Sequence, residues 1–377
     1  MSPRVLLDSP HPPPDPKPVK HIASPDAIDR RRFLQDAALL GGAVFATACA
    51  GSMAGSGPLG GESLSVWREK IGLQLFTVRD RFPTDFEGTL MAVSRIGYKE
   101  VQTTLTYGGH SLPEIKSYLD KAGLHSSATH VSPQNGPDFE MTLDTYAAAG
   151  HRYTTVNVGA AGGGRGGRGG AGGRGGAAPA TAGGRGAAAG ATPNLAGDLR
   201  ALQPPAPPQT LDGVKRTAQQ LNDAGRITQK HGLKVIVHNH TTEFRSLSDS
   251  SRQEYDVLVT ETDPSLVTME LDIGWAAVAG ENALDLFKRY PGRFEVWHVK
   301  DIKELAAVRA LSSMEERNRA AQVVPLGQGE IDYRPIFAAA RLSGMQYFYV
   351  EQDSAPQSGD SLAAAAASYR NLVTILS

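Results

Sequence analysis

One stretch of the chain gathers groups that do chemistry: Val235-Ile236-Val237-His238-Asn239-His240, followed after two threonines by Glu243. Two imidazoles, an amide and a carboxylate at the end of a β-branched run are costly to bury unless a shared charge or ligand offsets them. Three later apolar runs end in the same way, at Glu270-Leu271-Asp272, at His298-Val299-Lys300-Asp301 and at Glu351-Gln352-Asp353. A single His or Glu at such a place is ordinarily a solvated loop residue. Three successive runs with one each point instead to side chains converging on a cation.

The lone cysteine, Cys49, excludes a thiolate site and an internal disulfide framework. A metal here would therefore take nitrogen and oxygen ligands, which suits Mn²⁺ or Mg²⁺ and admits Co²⁺ or Zn²⁺. From the residues alone, Asp272, His298 and Glu351 are three candidate ligands, and the fourth comes from His238, His240 or Glu243. Assigning Glu243 to the metal leaves His240 as general base or acid and His238 as a catalytic proton-holding or substrate-binding group. The exchange, with His238 as ligand, stays open. His130 and Lys300 are candidates for contact with substrate hydroxyls or a developing oxyanion, and Trp275 for stacking on a sugar ring. Lys300 with Asp301 also reads as a simple surface pair, and Trp275 as a helix-start packing residue.

Elements that would hold these groups alternate regularly from residue 71 onward. Apolar, β-rich runs fall at 71–76, 98–102, 124–129, 153–158, 234–238, 267–273, 294–299 and 347–351. Helical segments separate them, among them 85–96 and one starting near Thr210-Leu211-Asp212. Gly97, Gly123, Gly150, Gly232 and Gly344 stand just ahead of strands, where a helix C-terminus turns into a strand. Eight such units predict a parallel (β/α)8 TIM barrel, with catalytic groups at the C-terminal strand ends. A doubly wound open sheet is the second choice, since no Gly-x-Gly-x-x-Gly turn follows the first strand.

The barrel is expected over 71–377, interrupted by a Gly/Ala/Arg/Pro-rich insertion at 159–208 that has too few large apolar residues for a core. Its Arg165, Arg168, Arg174 and Arg185 lie among glycines without the interleaved aromatics of a nucleic-acid stacking platform. The net charge of −1 likewise argues against a nucleic-acid partner. Residues 1–70 read as a disordered leader. Within it, Arg30-Arg31-Arg32-Phe33-Leu34 precedes a short apolar run at 37–50, which resembles a twin-arginine export signal. That resemblance implies the twin-arginine export machinery as a partner and a periplasmic or secreted address. Cleavage after Ala48-Cys49-Ala50 is expected, with membrane attachment only if Cys49 is lipidated.

Several stretches together resemble the sugar phosphate isomerase/epimerase family of the xylose-isomerase-like TIM barrels. They are Gly72-Leu73-Gln74-Leu75-Phe76-Thr77, Gly97-Tyr98-Lys99-Glu100-Val101, His238-Asn239-His240-Thr241-Thr242-Glu243-Phe244, Glu270-Leu271-Asp272, His298-Val299-Lys300-Asp301, Gly327-Gln328-Gly329-Glu330 and Val350-Glu351-Gln352-Asp353. The resemblance implies a divalent cation on Glu243, Asp272, His298 and Glu351, and a small sugar as substrate. It implies isomerisation or epimerisation by proton abstraction next to a carbonyl, or elimination from an inosose or 3-keto sugar by a lyase. The chain departs from the ketose epimerases at His238, where those relatives carry glutamate, and at Trp275, where they often carry histidine; at Gln102 many relatives of the family have glutamate. These departures favour a histidine-based mechanism. A phosphodiesterase of the endonuclease IV type would need more ligands and a basic groove; a silent, secreted sugar-binding barrel is the remaining alternative.

Overall fold

The computed structural model describes residues 63–104, 109–133, 138–158 and 208–377. The twin-arginine segment, Cys49 and nearly all of the 159–208 insertion lie outside the described residues.

Eight parallel strands close into a barrel in the order β1-β10-β7-β6-β5-β4-β3-β2. They are β1 (Ile71–Gln74), β2 (Glu100–Thr103), β3 (His125–Thr129), β4 (Tyr153–Thr154), β5 (Lys234–His238), β6 (Val267–Asp272), β7 (Val296–Val299) and β10 (Tyr347–Val350). The first strand is shorter than expected because Leu75–Val78 turns into a 3-10 helix, and β4 keeps only two paired residues of the predicted six. Glycines end the preceding helices as the sequence implies: Gly97, Gly123, Gly232 and Gly344 all have positive φ, a conformation that a side chain disfavours. Asp85 and Thr210 cap the helices Phe86–Ile96 and Leu211–Thr228 with their side-chain oxygens.

The alternation of strand side chains sorts the residues into an outer, apolar set and an inner, layered set. Outward from β7, the Trp297 ring stacks on Phe287 at 5.0 Å and meets Phe337 edge-on. Inward, Ala128, Ile236, Val296 and Tyr349 pack with Tyr153 as an apolar floor. Gly72 leaves room for that floor, since a Cβ there would lie 2.6 Å from the Tyr349 ring. Two residues further along the strands the interior turns polar, and this change of layer makes the site.

One element has no counterpart in the strand and helix pattern of the sequence. After β7 the chain forms an antiparallel ribbon, β8 (Asp301–Lys303) with β9 (Gln322–Val324). Asp301 organises it and is no surface pair with Lys300. It is 1% exposed, and its carboxylate accepts the backbone N–H groups of Ile302, Gly327, Gly329 and Ile331 at 2.8–3.1 Å. No helix among the described residues is long and apolar enough to cross a membrane.

Candidate functional site

Above the apolar floor lies a layer built from six inner positions: Gln74, Gln102, His130, His238, Glu270 and His298. Glu270 is fully buried at its centre and accepts from Gln102 Nε2 through Oε1 and pairs with His130 Nε2 through Oε2. His238 Nδ1 stands 3.1 Å from the same Oε2, close but out of line for a formed hydrogen bond. His298 Nε2 lies 2.6 Å from Gln102 Oε1, which also accepts from Gln74 Nε2 at 2.8 Å. The three imidazoles pack together, with ring centroids 4.6–5.3 Å apart. Burial alone would raise the Glu270 carboxyl, but the His130 and His298 charges, the hydrogen bond from His130 and the close approach of His238 hold it well below the usual range.

One step further towards the C-terminal strand ends, at the mouth, Asp272, His298, Lys300 and Glu351 meet. His298 Nδ1 lies 2.7 Å from Glu351 Oε2 and 3.7 Å from Asp272 Oδ2. His238 Nε2 is 3.9 Å from that Asp272 oxygen. The buried Lys300 ammonium lies 2.9 Å from Asp272, 3.0 Å from Glu351 and 2.7 Å from Asp353. Desolvation opposes the charge of every member of this group. It is overridden for Glu351 by Lys300 and His298, and for Asp272 chiefly by Lys300, so both carboxylates stay ionised below their ordinary values. The Asp272 and Glu270 carboxylates sit two residues apart on one strand, which aims both inward.

The donor chemistry fits a divalent cation. Asp272, His298 and Glu351 offer ligand atoms within 4.8 Å of one another. Asp272 Oδ2 and His298 Nδ1 are buried yet make no aligned hydrogen bond to another side chain. Such atoms cost stability unless something else satisfies them. His130, His238, Glu270 and His298 form a second grouping with the same spacing, deeper in the barrel. There, Gln102 already occupies Glu270 Oε1 and His298 Nε2.

Of the residues proposed from sequence, the structure thus brings Asp272, His298 and Glu351 together, with His238, His130 and Lys300 in contact with them. Glu243 belongs to neither grouping among the described residues; its Oε2 accepts the His240 backbone N–H at 2.8 Å. His240 lies at the rim, its ring 4.8 Å from His238 and 6.4 Å from Trp275. Enclosure at the mouth and the neighbouring His238 push the His240 imidazole below its ordinary pKa, an effect limited by its exposed edge. Trp275 sits in the helix Ile273–Ala279, packed against the Val278 and Ile302 cluster, with the Lys300 ammonium 5.3 Å from its ring centre. The sequence alone assigns no site role to Glu270, Gln74 or Asp353, and marks Gln102 only as a departure from relatives. The i, i+2 repeat Glu270-x-Asp272 and the amides on β1 and β2 were the signal for Glu270, Gln74 and Gln102.

Residues 187–372 match the family described as xylose isomerase-like TIM barrel. With a closed ring of eight parallel strands carrying its charged groups at the C-terminal ends, one statement follows. The chain has the xylose isomerase-like TIM-barrel fold. Among solved barrels of this kind, a sugar phosphate isomerase/epimerase from Parabacteroides distasonis superimposes with a TM-score of 0.56 at 18% identity, over 81% of this chain and 94% of that one. A xylose isomerase-like TIM-barrel protein from Mycobacterium smegmatis, in complex with magnesium, gives 0.53 at 14% identity over 84% and 98%. At these identities the likeness is one of fold. An inosose dehydratase from Clostridium perfringens is 32% identical over 147 residues, 38% of this chain and 48% of that protein. One from Clostridium tetani is 29% identical over 153 residues, 39% and 50% respectively. The chain spans about half the length of the curated relatives it matches.

Proposed function

We propose that this protein is a divalent-metal-dependent lyase that removes water from a cyclic polyol ketone, of the inosose or 3-keto-sugar class. The observation that carries the reading is the buried set Asp272, His298 and Glu351 at the mouth of this fold, in which Asp272 Oδ2 and His298 Nδ1 make no aligned hydrogen bond; the inosose dehydratase relatives favour elimination over isomerisation. His238 Nε2, beside Asp272, is the fourth ligand in preference to Glu243. Two imidazoles and two carboxylates suit Mn²⁺, with Co²⁺ and Zn²⁺ next, better than Mg²⁺.

A cation on these residues supplies Lewis-acid polarisation of the substrate carbonyl. The remaining steps belong to the chain. His240, neutral at pH 7, removes the proton from the carbon next to the carbonyl, a contribution of roughly 10²–10⁴ in rate. The electron pair left behind forms the new C=C bond as the β-hydroxyl departs, and the His240 imidazolium returns its proton to that hydroxyl, giving water. Lys300 holds positive charge beside the site and Trp275 offers an apolar plane for the ring. Export through the twin-arginine route is part of the proposal, resting on Arg30-Arg31 and the apolar run behind them.

The test is an NMR assay in D₂O of inososes and 3-keto sugars with protein stripped and reloaded with Mn²⁺. Loss of water with an unsaturated product is expected, and a His240→Ala variant should fall by two or more orders of magnitude. An isomeric product of unchanged mass would establish the isomerase instead. Protein that binds no divalent cation and turns over none of these ketones refutes the proposal.

A further inference from the structure

Beneath the donors at the mouth, the hydrogen bonds of the deeper layer have only one consistent direction. The starting point is a backbone group, which cannot flip. The Phe76 N–H donates to Gln74 Oε1 at 3.0 Å, so the other face of that amide is its NH₂. Gln74 Nε2 then donates to Gln102 Oε1 at 2.8 Å, which turns Gln102 Nε2 towards the Glu270 carboxylate. His298 Nε2 faces the same Gln102 oxygen at 2.6 Å and must therefore be the nitrogen that carries hydrogen. In the neutral ring that a cation would bind, the lone pair is then the one on Nδ1, facing Asp272 and Glu351. Glu270 also approaches a second ring: its Oε2 lies 3.1 Å from His238 Nδ1 without an aligned hydrogen bond, and a proton on that nitrogen would leave His238 Nε2 open on the Asp272 side.

From this chain of bonds we infer that Glu270 and Gln102 are positioning residues of the metal centre, fixing the tautomers of His298 and His238 so that both rings present lone pairs to one cation. Glu270 anchors the direction by geometry, since its Oε1 accepts from Gln102 and its Oε2 faces the His130 and His238 ring nitrogens. The inference rests on the proposed metal centre. It also assigns the deeper grouping of His130, His238, Glu270 and His298 a supporting role, since its Glu270 Oε1 and His298 Nε2 are already spoken for by Gln102.

Glu270→Gln keeps the shape and reverses the logic. Its oxygen is needed by His130, so its NH₂ confronts Gln102 Nε2. Relief requires Gln102 to flip, which sets an NH₂ against both His298 Nε2 and Gln74 Nε2 and drives the His298 proton to Nδ1. The double variant Glu270→Gln/Gln102→Glu restores acceptor against donor at every contact with the same atoms and charge. Mn²⁺ affinity is read by competition with a chelating dye, and coordination by the visible spectrum of the Co²⁺ form. Glu270→Gln is expected to bind about 10–100-fold more weakly with an altered Co²⁺ spectrum, and the double variant to return within about threefold of wild type with the native spectrum. Thermal melts in EDTA establish that each apoprotein is folded; if the single variant is not, the double variant alone decides by the same criterion. Wild-type affinity in Glu270→Gln, or a folded double variant as weak as the single, overturns the inference. So does loss of binding in His130→Ala with binding retained in Asp272→Asn, which would make the deeper grouping the metal site. A wild-type protein that binds no cation overturns the proposed function along with it, whereas the other outcomes bear on the inference alone.

Discussion

Removing the Lys300 ammonium, as in Lys300→Met, tests the charge balance of the mouth directly. Lys300 is 1% exposed and stands within 3.0 Å of three carboxylates, on Asp272, Glu351 and Asp353. At an effective dielectric of 20, a pair of unit charges 3 Å apart interacts by about 5 kcal/mol. Desolvation of the ammonium and repulsion among the carboxylates offset most of that sum. Truncating one partner of a buried ionic cluster costs about 3–5 kcal/mol, because the remaining charges are left uncompensated. The apoprotein variant should therefore lose about that much unfolding free energy in urea titrations at pH 7. Methionine preserves the apolar stem, so the loss reports charge more than volume. The same three carboxylates then face a cation without a built-in competitor, and saturating Mn²⁺ should recover more stability in the variant than in wild type. A ligand at 100 times its Kd contributes about 2.7 kcal/mol, which is measurable against the loss. An apoprotein within about 1 kcal/mol of wild type would refute the counter-ion role. Equal metal protection of both proteins would refute the idea that ammonium and metal share one field.

Three further outcomes are expected. Asp301→Asn replaces one acceptor oxygen by a donor facing backbone N–H groups, and urea unfolding should show a loss of about 2–4 kcal/mol. Burial, then the charge of Glu243, raises the Glu254 carboxyl to about 7, so its folded form favours the proton. That favourable term is complete below the ordinary carboxylate pKa and fades as pH rises through about 7. Glu254→Gln should thus be more stable than wild type by about 1–2 kcal/mol at pH 8, after allowance for partial exposure, with the advantage vanishing near pH 4 in chemical denaturation. Replacing Arg30 and Arg31 by lysine in the full chain should trap the protein in the cytoplasm, read by cell fractionation; unchanged export would refute the twin-arginine assignment.

The barrel was legible because its grammar is local. Helix-ending glycines such as Gly97 and Gly232 need a positive φ, and each is followed by a β-rich run whose length fits a strand. Asp272, His298 and Glu351 were legible for the same reason, as polar ends of apolar strands. What lay hidden depends on who faces whom across the barrel. Gln74, Gln102 and Glu270 come from three strands far apart in sequence and acquire meaning only when closure brings them within hydrogen-bonding distance. Glu243 looked equivalent to the other carboxylates, yet the short turn after β5 leads its side chain back onto the His240 N–H. The Asp301 ribbon was invisible because its partners lie some thirty residues downstream, at Gly327 to Ile331.

The ring order of the strands has one more consequence. His238, Asp272, His298 and Glu351 occupy four consecutive staves, β5, β6, β7 and β10, while the long Gly/Ala/Arg/Pro-rich stretch departs after the two-residue β4. Charge is thus concentrated on one arc of the rim, and β4, which adjoins β5 in the ring, carries none of the four groups. Length can be spliced into the rim beyond Val158 without lengthening any loop that ties a donor to its neighbour, which marks that junction as the place to graft a tag or reporter while leaving the electrostatics of the mouth alone.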